Sequence, residues 1–237
     1  MKLPLTYDNY IFDLYGTLVD IHTDESDTAI WEKLAMFYGY YGALYEAKEL
    51  KERYETLVKS SEAELKKKIE NMDIEKQNEA KDAQFAISYA HEASPEIHIE
   101  DVFEKLYEEK NVNPTKELSV HTGQFFRVMS TEYIKLYPGT KEMLKELKKA
   151  GKNVYLLSNA QRIFTAYEMR RLDIFDLFDD VFISSDYNTK KPDIRFYKEL
   201  INKHDIDVSK SLFIGNDSTT DIKGCLLYTS PSPRDCS

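Results

Sequence analysis

The stretch Tyr10-Ile11-Phe12-Asp13-Leu14-Tyr15-Gly16-Thr17-Leu18-Val19-Asp20 decides the fold. It opens on three apolar β-formers and stops on an aspartate. A short apolar run closed by polar and glycine residues reads as a buried strand feeding a tight loop. Asp13 then stands where strand becomes loop, and in open α/β sheets ligands bind beyond the carboxyl ends of the strands. Gly16 lets the backbone turn and approach an anion closely. Thr17 brings a hydroxyl and a backbone N–H to the same place. Taken alone, Asp-x-x-Gly-Thr is also the pattern of an Asx turn after a strand, so the reading depends on the later segments of the chain.

Beyond Tyr137-Pro138-Gly139 the chain alternates helix and strand patterns. A helix carrying Met143, Leu144 and Leu147 closes at Ala150-Gly151, a helix stop. A strand over Asn153–Ser158 comes next, then a helix over Ile163–Leu172 and a strand over Val181–Ser184. The last pair is a helix over Ile194–Lys203 and a strand over Ser211–Gly215. This alternation predicts an α/β fold: a doubly wound, Rossmann-like parallel sheet with right-handed crossovers, the Tyr10 strand included.

The segment between reads as nearly all helical. Asp27 or Thr28 caps a helix carrying Ile30, Leu34, Phe37 and Tyr38. Leu44, Leu50, Tyr54, Leu57 and Val58 continue the helical spacing. Glu62 to Asp82 mixes both charges and reads as a solvated helical face or a hairpin. Ser94-Pro95 breaks the pattern. Helices are expected over Ile99–Lys110 and from Thr115 to about Tyr133, with Pro114 suited to a helix start. The expected organisation is a catalytic core over 1–20 plus 136–224, with an inserted helical cap over 21–135. Residues 225–237 form a separate tail. That tail has no periodicity and resembles a translated sequencing-library adapter, so the native chain is expected to continue past Gly224 differently.

Composition sets bounds. With 42% hydrophobic and 31% charged residues, the chain is expected to be globular rather than disordered. No apolar stretch reaches membrane-span length. No basic-then-apolar leader is visible, so a cytoplasmic location is expected. A net charge of −10 disfavours nucleic acid and anionic membranes as partners. An anionic small-molecule substrate must then be drawn in by local cations and backbone N–H groups. The cysteines are Cys225 and Cys236, so the body has neither a disulfide framework nor a thiolate metal site. The histidines lack ligand spacing.

Each later strand pattern ends in polar residues: Ser158-Asn159, then Asp186 with Lys190-Lys191-Pro192-Asp193 after it, then Gly215-Asn216-Asp217 with Asp221 a turn further on. In a parallel sheet these ends share one edge. Singly, each has an ordinary reading as a helix cap or a helix-start charge. Together they suit displacement at a phosphoryl or similar electrophile. Asp13 attacks and forms a covalent intermediate. Thr17, Ser158 and Lys191 hold the transferring group and offset its charge. Asp217 or Asp221, with Asp13, offers hard oxygens to Mg²⁺.

Four segments together resemble the haloacid dehalogenase-like hydrolase superfamily: Asp13-Leu-Tyr-Gly-Thr17, Leu157-Ser158-Asn159, Lys191-Pro192-Asp193 and Ile214-Gly-Asn-Asp-Ser-Thr-Thr-Asp221. The resemblance covers residues 7–20 and 136–224. It implies that Asp13 is the nucleophile, that Thr17 and Ser158, beside Asn159, bind the phosphate, and that Lys191 stabilises the intermediate. It also implies that Asp13 and the loop of Asn216, Asp217 and Asp221 hold Mg²⁺. The insert stands where this superfamily carries a helical cap that selects substrate.

Two departures matter. Family phosphatases carry a second aspartate two residues after the nucleophile, as general acid–base. Here Tyr15 occupies that position, and a phenol with a pKa near 10 is poorly suited to that task at neutral pH. Tyrosine there resembles the metal-independent (S)-2-haloacid dehalogenases, whose halide leaving group needs no proton. Those enzymes use an arginine early in the cap, for which Arg53 is the nearest candidate here. The second departure is Asn216, which stands where phosphatases place the first aspartate of the last motif. Because buried carboxylates repel, the acidic pair argues for a cation. The expectation is Mg²⁺-dependent hydrolysis of a small phosphomonoester. The alternatives are the dehalogenase and a non-catalytic binder of a phosphorylated ligand.

Overall fold

The structure, a computed structural model, describes residues 5–79 and 93–222. Along the chain run β1 (Asn9–Phe12), β2 (Val19–Thr23), α1 (Thr28–Tyr40), α2 (Ala47–Glu79), α3 (Ile99–Glu108) and α4 (Lys116–Ser130). Then come β3 (Thr131–Leu136), α5 (Thr140–Lys149), β4 (Asn153–Ser158), α6 (Arg162–Arg171), β5 (Asp180–Ile183), α7 (Ile194–His204) and β6 (Ser211–Ile214). The tail over 225–237 lies outside the described residues.

β5, β4, β1 and β6 form a parallel sheet in that order. Phe12 pairs with Leu156 on one side and with Ile214 on the other. Winding goes outward from β1 through β4 to β5, then returns to place β6 on β1's free side. The direction of winding therefore reverses at β1, where such sheets open a crevice at their carboxyl edge.

Alternation along the strands builds both faces of the core. Tyr10, Phe12, Val154 and Leu156 pack with Leu144 and Leu147 of α5 and Met169 of α6. Ile11, Tyr155 and Leu157 face the opposite side, against Phe196, Tyr197 and Leu200 of α7. A parallel sheet covered on both faces needs this continuous apolar composition. Burying a side chain such as Phe12 contributes about 1.5–3 kcal/mol.

Helices α1 to α4 enclose a separate, aromatic-rich core of Trp31, Leu34, Tyr38, Leu50, Phe103, Tyr107 and Phe126. Its buried phenols are satisfied. Tyr38 donates to the Phe103 carbonyl at 3.0 Å, and Tyr107 pairs with Thr122 at 3.1 Å. Asp27 caps α1 by accepting from Ala29 N, as its position predicts. Thr115 caps α4 in the same way, through Leu118 N. α2 runs as one helix from Ala47 to Glu79, so up to that point the charged segment is helix and not a hairpin. Asp82 lies outside the described residues. Leu44 precedes α2 and is exposed rather than part of a helical stripe.

The helical reading fails at both ends of this block. β2 extends through Thr23, and α4 stops at Ser130 instead of continuing to Tyr133. The chain from Thr131 pairs antiparallel with β2, Val19 against Leu136 and Ile21 against Ile134. Ile21, Ile134 and Leu136 turn toward the sheet's apolar core, and this two-residue repeat outweighs helical continuation. The expected junctions near residues 20 and 136 fall inside this ribbon.

A second seam joins the helical block to the sheet. Glu96 accepts from Ser184 Oγ at 2.8 Å and from Gln161 Nε2 at 3.0 Å. Lys190 pairs with Glu62 of α2 at 3.1 Å. Among the described residues, no helix is long and apolar enough to cross a membrane.

Candidate active site

Asp13 comes directly after β1, and its N–H still donates to the Ile214 carbonyl at 2.9 Å, so its backbone is fixed by the sheet. The loop then closes on itself: Leu18 N and Val19 N both donate to the Leu14 carbonyl, at 2.8 and 2.9 Å. Gly16 takes φ +80°, and a Cβ there would fall 2.9 Å from Asn216 Cγ. The position therefore requires glycine for its backbone and for the close approach of the Asn216 loop. Thr17 Oγ1 donates to Asn216 Oδ1 at 3.2 Å and more weakly to Asp13 Oδ2 at 3.4 Å.

Three other strand ends converge on Asp13. Ser158 Oγ, at the end of β4, donates to Asp13 Oδ1 at 3.0 Å. Lys191 Nζ, from the loop after β5, donates to the same oxygen at 2.8 Å and to Asp221 Oδ1 at 2.6 Å. Asp221, beyond β6, is held by Lys191 and by Asp217 N, which donates to Oδ2 at 3.0 Å. A Cβ at Gly215 would fall 2.7 Å from Asp221 Cβ, so Asp221 reaches its place only past a glycine. Lys191 and Asp221 are almost wholly buried, and Asp13 is 7% exposed.

Two sequence candidates have a different place. Asn159 accepts from Lys191 N at 2.8 Å and donates to the Lys191 carbonyl at 3.0 Å, so its side chain fixes the lysine's backbone. Asp217 Oδ1 accepts from Thr219 N, Thr219 Oγ1 and Thr220 N at 2.7, 2.6 and 3.1 Å. These bonds, the Thr219 hydroxyl first, hold its carboxyl below the usual range.

Tyr15 lines the cavity, but its hydroxyl points elsewhere. It is hydrogen-bonded to Thr165 at 3.0 Å and donates to Glu168 of α6. Arg127, at the end of α4, grips Glu168 from Nε at 2.7 Å and from a terminal nitrogen at 3.2 Å. Burial, and next the Glu168 charge, push the phenol well above its ordinary value. Sequence reading missed Thr165, Glu168 and Arg127. They are helix residues far from Tyr15 along the chain, and no motif marks them. Arg53 is not at the site: it binds Glu109 at 3.0 Å within the helical block.

The cavity is about 220 Å³, lined by Asp13, Tyr15, Ser158, Asn159, Lys191, Asn216, Asp217, Thr220 and Asp221. A larger space of about 770 Å³ opens between α4, β3 and α6, but none of the motif residues line it. The convergence of strand ends, not volume, marks the small cavity as the candidate site.

Among the described residues, no three acidic, histidine or cysteine side chains form a ready-made metal cluster. The cation between Asp13 and Asp221 is the Lys191 ammonium itself. Asp13, Asp217 and Asp221 carry three carboxylates against that one lysine. The carboxylate of Asp13, Oδ1 of Asn216 and the unshared oxygen of Asp217 are hard donors at the cavity wall. Their charge and oxygen chemistry fit Mg²⁺.

A doubly wound α/β protein with an Asp–Ser–Lys–Asp centre at its switch point is a hydrolase fold of defined type. The chain belongs to the haloacid dehalogenase-like hydrolases, whose family profile matches residues 7–226. It is 34% identical over 98 residues to a phosphoglycolate phosphatase of Vibrio vulnificus (strain CMCP6), which covers 41% of this chain and 42% of that one. It is 31% identical over 88 residues to a glyceraldehyde 3-phosphate phosphatase of Methanothermobacter thermautotrophicus, covering 37% and 39%. The chain thus matches about two fifths of the length of these curated relatives. A solved 2-haloacid dehalogenase from Pseudomonas syringae pv. Tomato DC3000 superposes with a TM-score of 0.58 at 15% identity, covering 94% of this chain and 84% of that one. That likeness is one of fold.

Proposed function

We propose that this chain is a Mg²⁺-dependent phosphatase of small metabolites, with the sheet edge as catalytic core and the helical block over 21–135 as a substrate-selecting cap. One observation carries the reading: Ser158, Lys191 and Asp221 gather around Asp13 at the carboxyl edge of the sheet. The phosphatase relatives support it.

In this reading Asp13 Oδ1 is held by Ser158 and Lys191. Among the described residues, Oδ2 has only the 3.4 Å contact of Thr17, so it is the oxygen with a lone pair to give. It attacks phosphorus, and an aspartyl phosphate forms as the leaving group departs. Lys191, Ser158 and Thr17 offset charge on the transferring group. Water then attacks the phosphorus, the bond to Asp13 breaks, and the carboxylate is restored. Asp221 positions Lys191, and Asn159 fixes that lysine's backbone. Asp13, Asn216 and Asp217 are the residues that would hold Mg²⁺, which when bound neutralises phosphoryl oxygens; Asp221, expected with them from the sequence, has both oxygens engaged, by Lys191 and by Asp217 N. A location in the cytoplasm belongs to the same proposal.

Tyr15 favours a second reading, the metal-independent 2-haloacid dehalogenase. Phosphate release from a panel of small phosphate esters, with and without Mg²⁺ and beside an Asp13→Asn control, decides between them. Mg²⁺-dependent release that the control loses supports the phosphatase. Halide release from 2-haloacids without phosphate release overturns it, as does the absence of both.

A further inference from the structure

The cavity holds an unusual inventory of protons. Two of the three Lys191 Nζ protons go to Asp13 and Asp221, which hold the ammonium as a paired cation, and Ser158 Oγ donates to Asp13. The Asn159 amide donates to the Lys191 carbonyl. Asp217 and Asp221 act as acceptors: Oδ1 of Asp217 takes three hydrogen bonds, and both oxygens of Asp221 are engaged. Among the described residues, no histidine lines the cavity. Tyr15 carries, among the described residues, the one phenol that lines the cavity, and it is directed to Glu168 and Thr165. Arg127 anchors Glu168 with two bonds, so the phenol's partner is itself fixed. Glu25, which lies near Arg127, does not line the cavity. Among the described residues lining the cavity, no protonated carboxyl, imidazole or phenol is therefore aimed at a departing alkoxide.

From this geometry, and resting on the phosphatase reading above, we infer that the substrates are monosubstituted phosphates whose leaving group departs as a stabilised anion: acyl phosphates above all, with aryl and enol phosphates next. The steps balance without a protein acid. Asp13 carboxylate and an acyl phosphate dianion give aspartyl phosphate and a free carboxylate, which leaves with the electron pair of the broken P–O bond. Water then attacks phosphorus and yields Asp13 carboxylate and H₂PO₄⁻, with both water protons retained on phosphate. An alkyl ester would have to expel a bare alkoxide at the first step.

The inferred role of Tyr15 is to close the wall where an acid would stand, held there by the Arg127–Glu168 pair. This makes Tyr15 a specificity-determining residue.

The test is kcat/KM of the full chain with Mg²⁺ for acetyl phosphate, a series of substituted phenyl phosphates, and ethyl phosphate. A positioned general acid is worth about 10²–10⁴-fold. The expected result is a steep fall with rising leaving-group pKa, with acetyl phosphate ahead of ethyl phosphate by more than ~10⁴-fold. Tyr15→Asp is expected to narrow that gap by at least ~10²-fold by raising turnover of the alkyl ester. The wild-type series decides the matter even if this variant fails to fold. A flat series in the wild type, with good release from ethyl phosphate, overturns the inference and leaves the phosphatase reading standing. No release from any member, acetyl phosphate included, overturns both.

Discussion

The Lys191 ammonium lies 2.6 Å from Asp221 Oδ1, and neither residue is more than 2% exposed. The same nitrogen reaches Asp13 at 2.8 Å. One buried cation thus holds together two carboxylates, one at the end of the central strand and one beyond its neighbour β6. Lys191→Met is expected to leave both acids facing each other without a counter-charge, at a cost of about 3–5 kcal/mol. Urea unfolding of the variant and the wild type measures this. Unchanged midpoints would show that the bridge is not a stabilising contact.

The Arg127–Glu168 pair is less deeply buried, with side chains 19% and 11% exposed. Arg127→Met leaves Glu168 with the Tyr15 phenol but no cation, and a loss of about 2–4 kcal/mol is expected. The double variant Arg127→Met, Glu168→Leu is expected to regain most of it, because the unpaired charge is gone. If the double variant unfolds at lower urea than the single one, the pair is contributing packing rather than charge balance.

Gly215→Ala places a Cβ 2.7 Å from Asp221 Cβ, so Asp221 must move. Lys191 then loses one of its two anchors. Under the proposed mechanism, a displacement of this order in the Lys191 ammonium is expected to cost about 10²-fold in turnover. Phosphate release by the purified variant tests this, with circular dichroism to confirm its fold. Full activity in a folded variant would mean that Asp221 does not position Lys191.

Glu96, at the seam between the helical block and the sheet, has its carboxyl pushed above the usual 4.5, chiefly by burial, while the Lys190 charge and the Ser184 hydroxyl pull it down. The folded state therefore binds this proton more tightly than the unfolded chain does. The resulting stability is present in full below pH 4.5 and is lost as pH rises through the folded-state value. Glu96→Gln removes the titration and keeps a carbonyl acceptor. The stability of the wild type relative to this variant is expected to fall as pH climbs above 4.5. Thermal unfolding of both across that range measures it, and parallel curves would contradict the assignment.

The parallel sheet and the gathering of Asp13, Ser158, Lys191 and Asp221 were legible because each motif sits beside its own strand. Local pattern names the strand, and parallel topology brings the ends together without further information. The β2–β3 ribbon was hidden for the opposite reason. Thr131-Glu-Tyr-Ile-Lys-Leu136 continues directly from a helix with no glycine or proline between, and only its long-range partner makes it a strand. The separate places of Asp217 and Asn159 were also beyond reading. A carboxylate or amide at a strand end serves a turn or a ligand equally well until its hydrogen bonds are seen. The hydroxyl of Tyr15 depends on α6, more than a hundred residues away, which no spacing rule connects to it.

The ribbon carries a topological consequence. The chain leaves the sheet through β2 and returns through β3, with Thr23 facing Thr131 across the pair. Departure and return are thus one doorway. Everything between them is a closed excursion whose two ends already lie at the distance that a short hairpin turn spans. An insertion of this form can grow, shrink or be exchanged for another without rerouting a single strand of the sheet. The chemistry at the end of β1 and the shape above it are therefore free to change on separate evolutionary schedules.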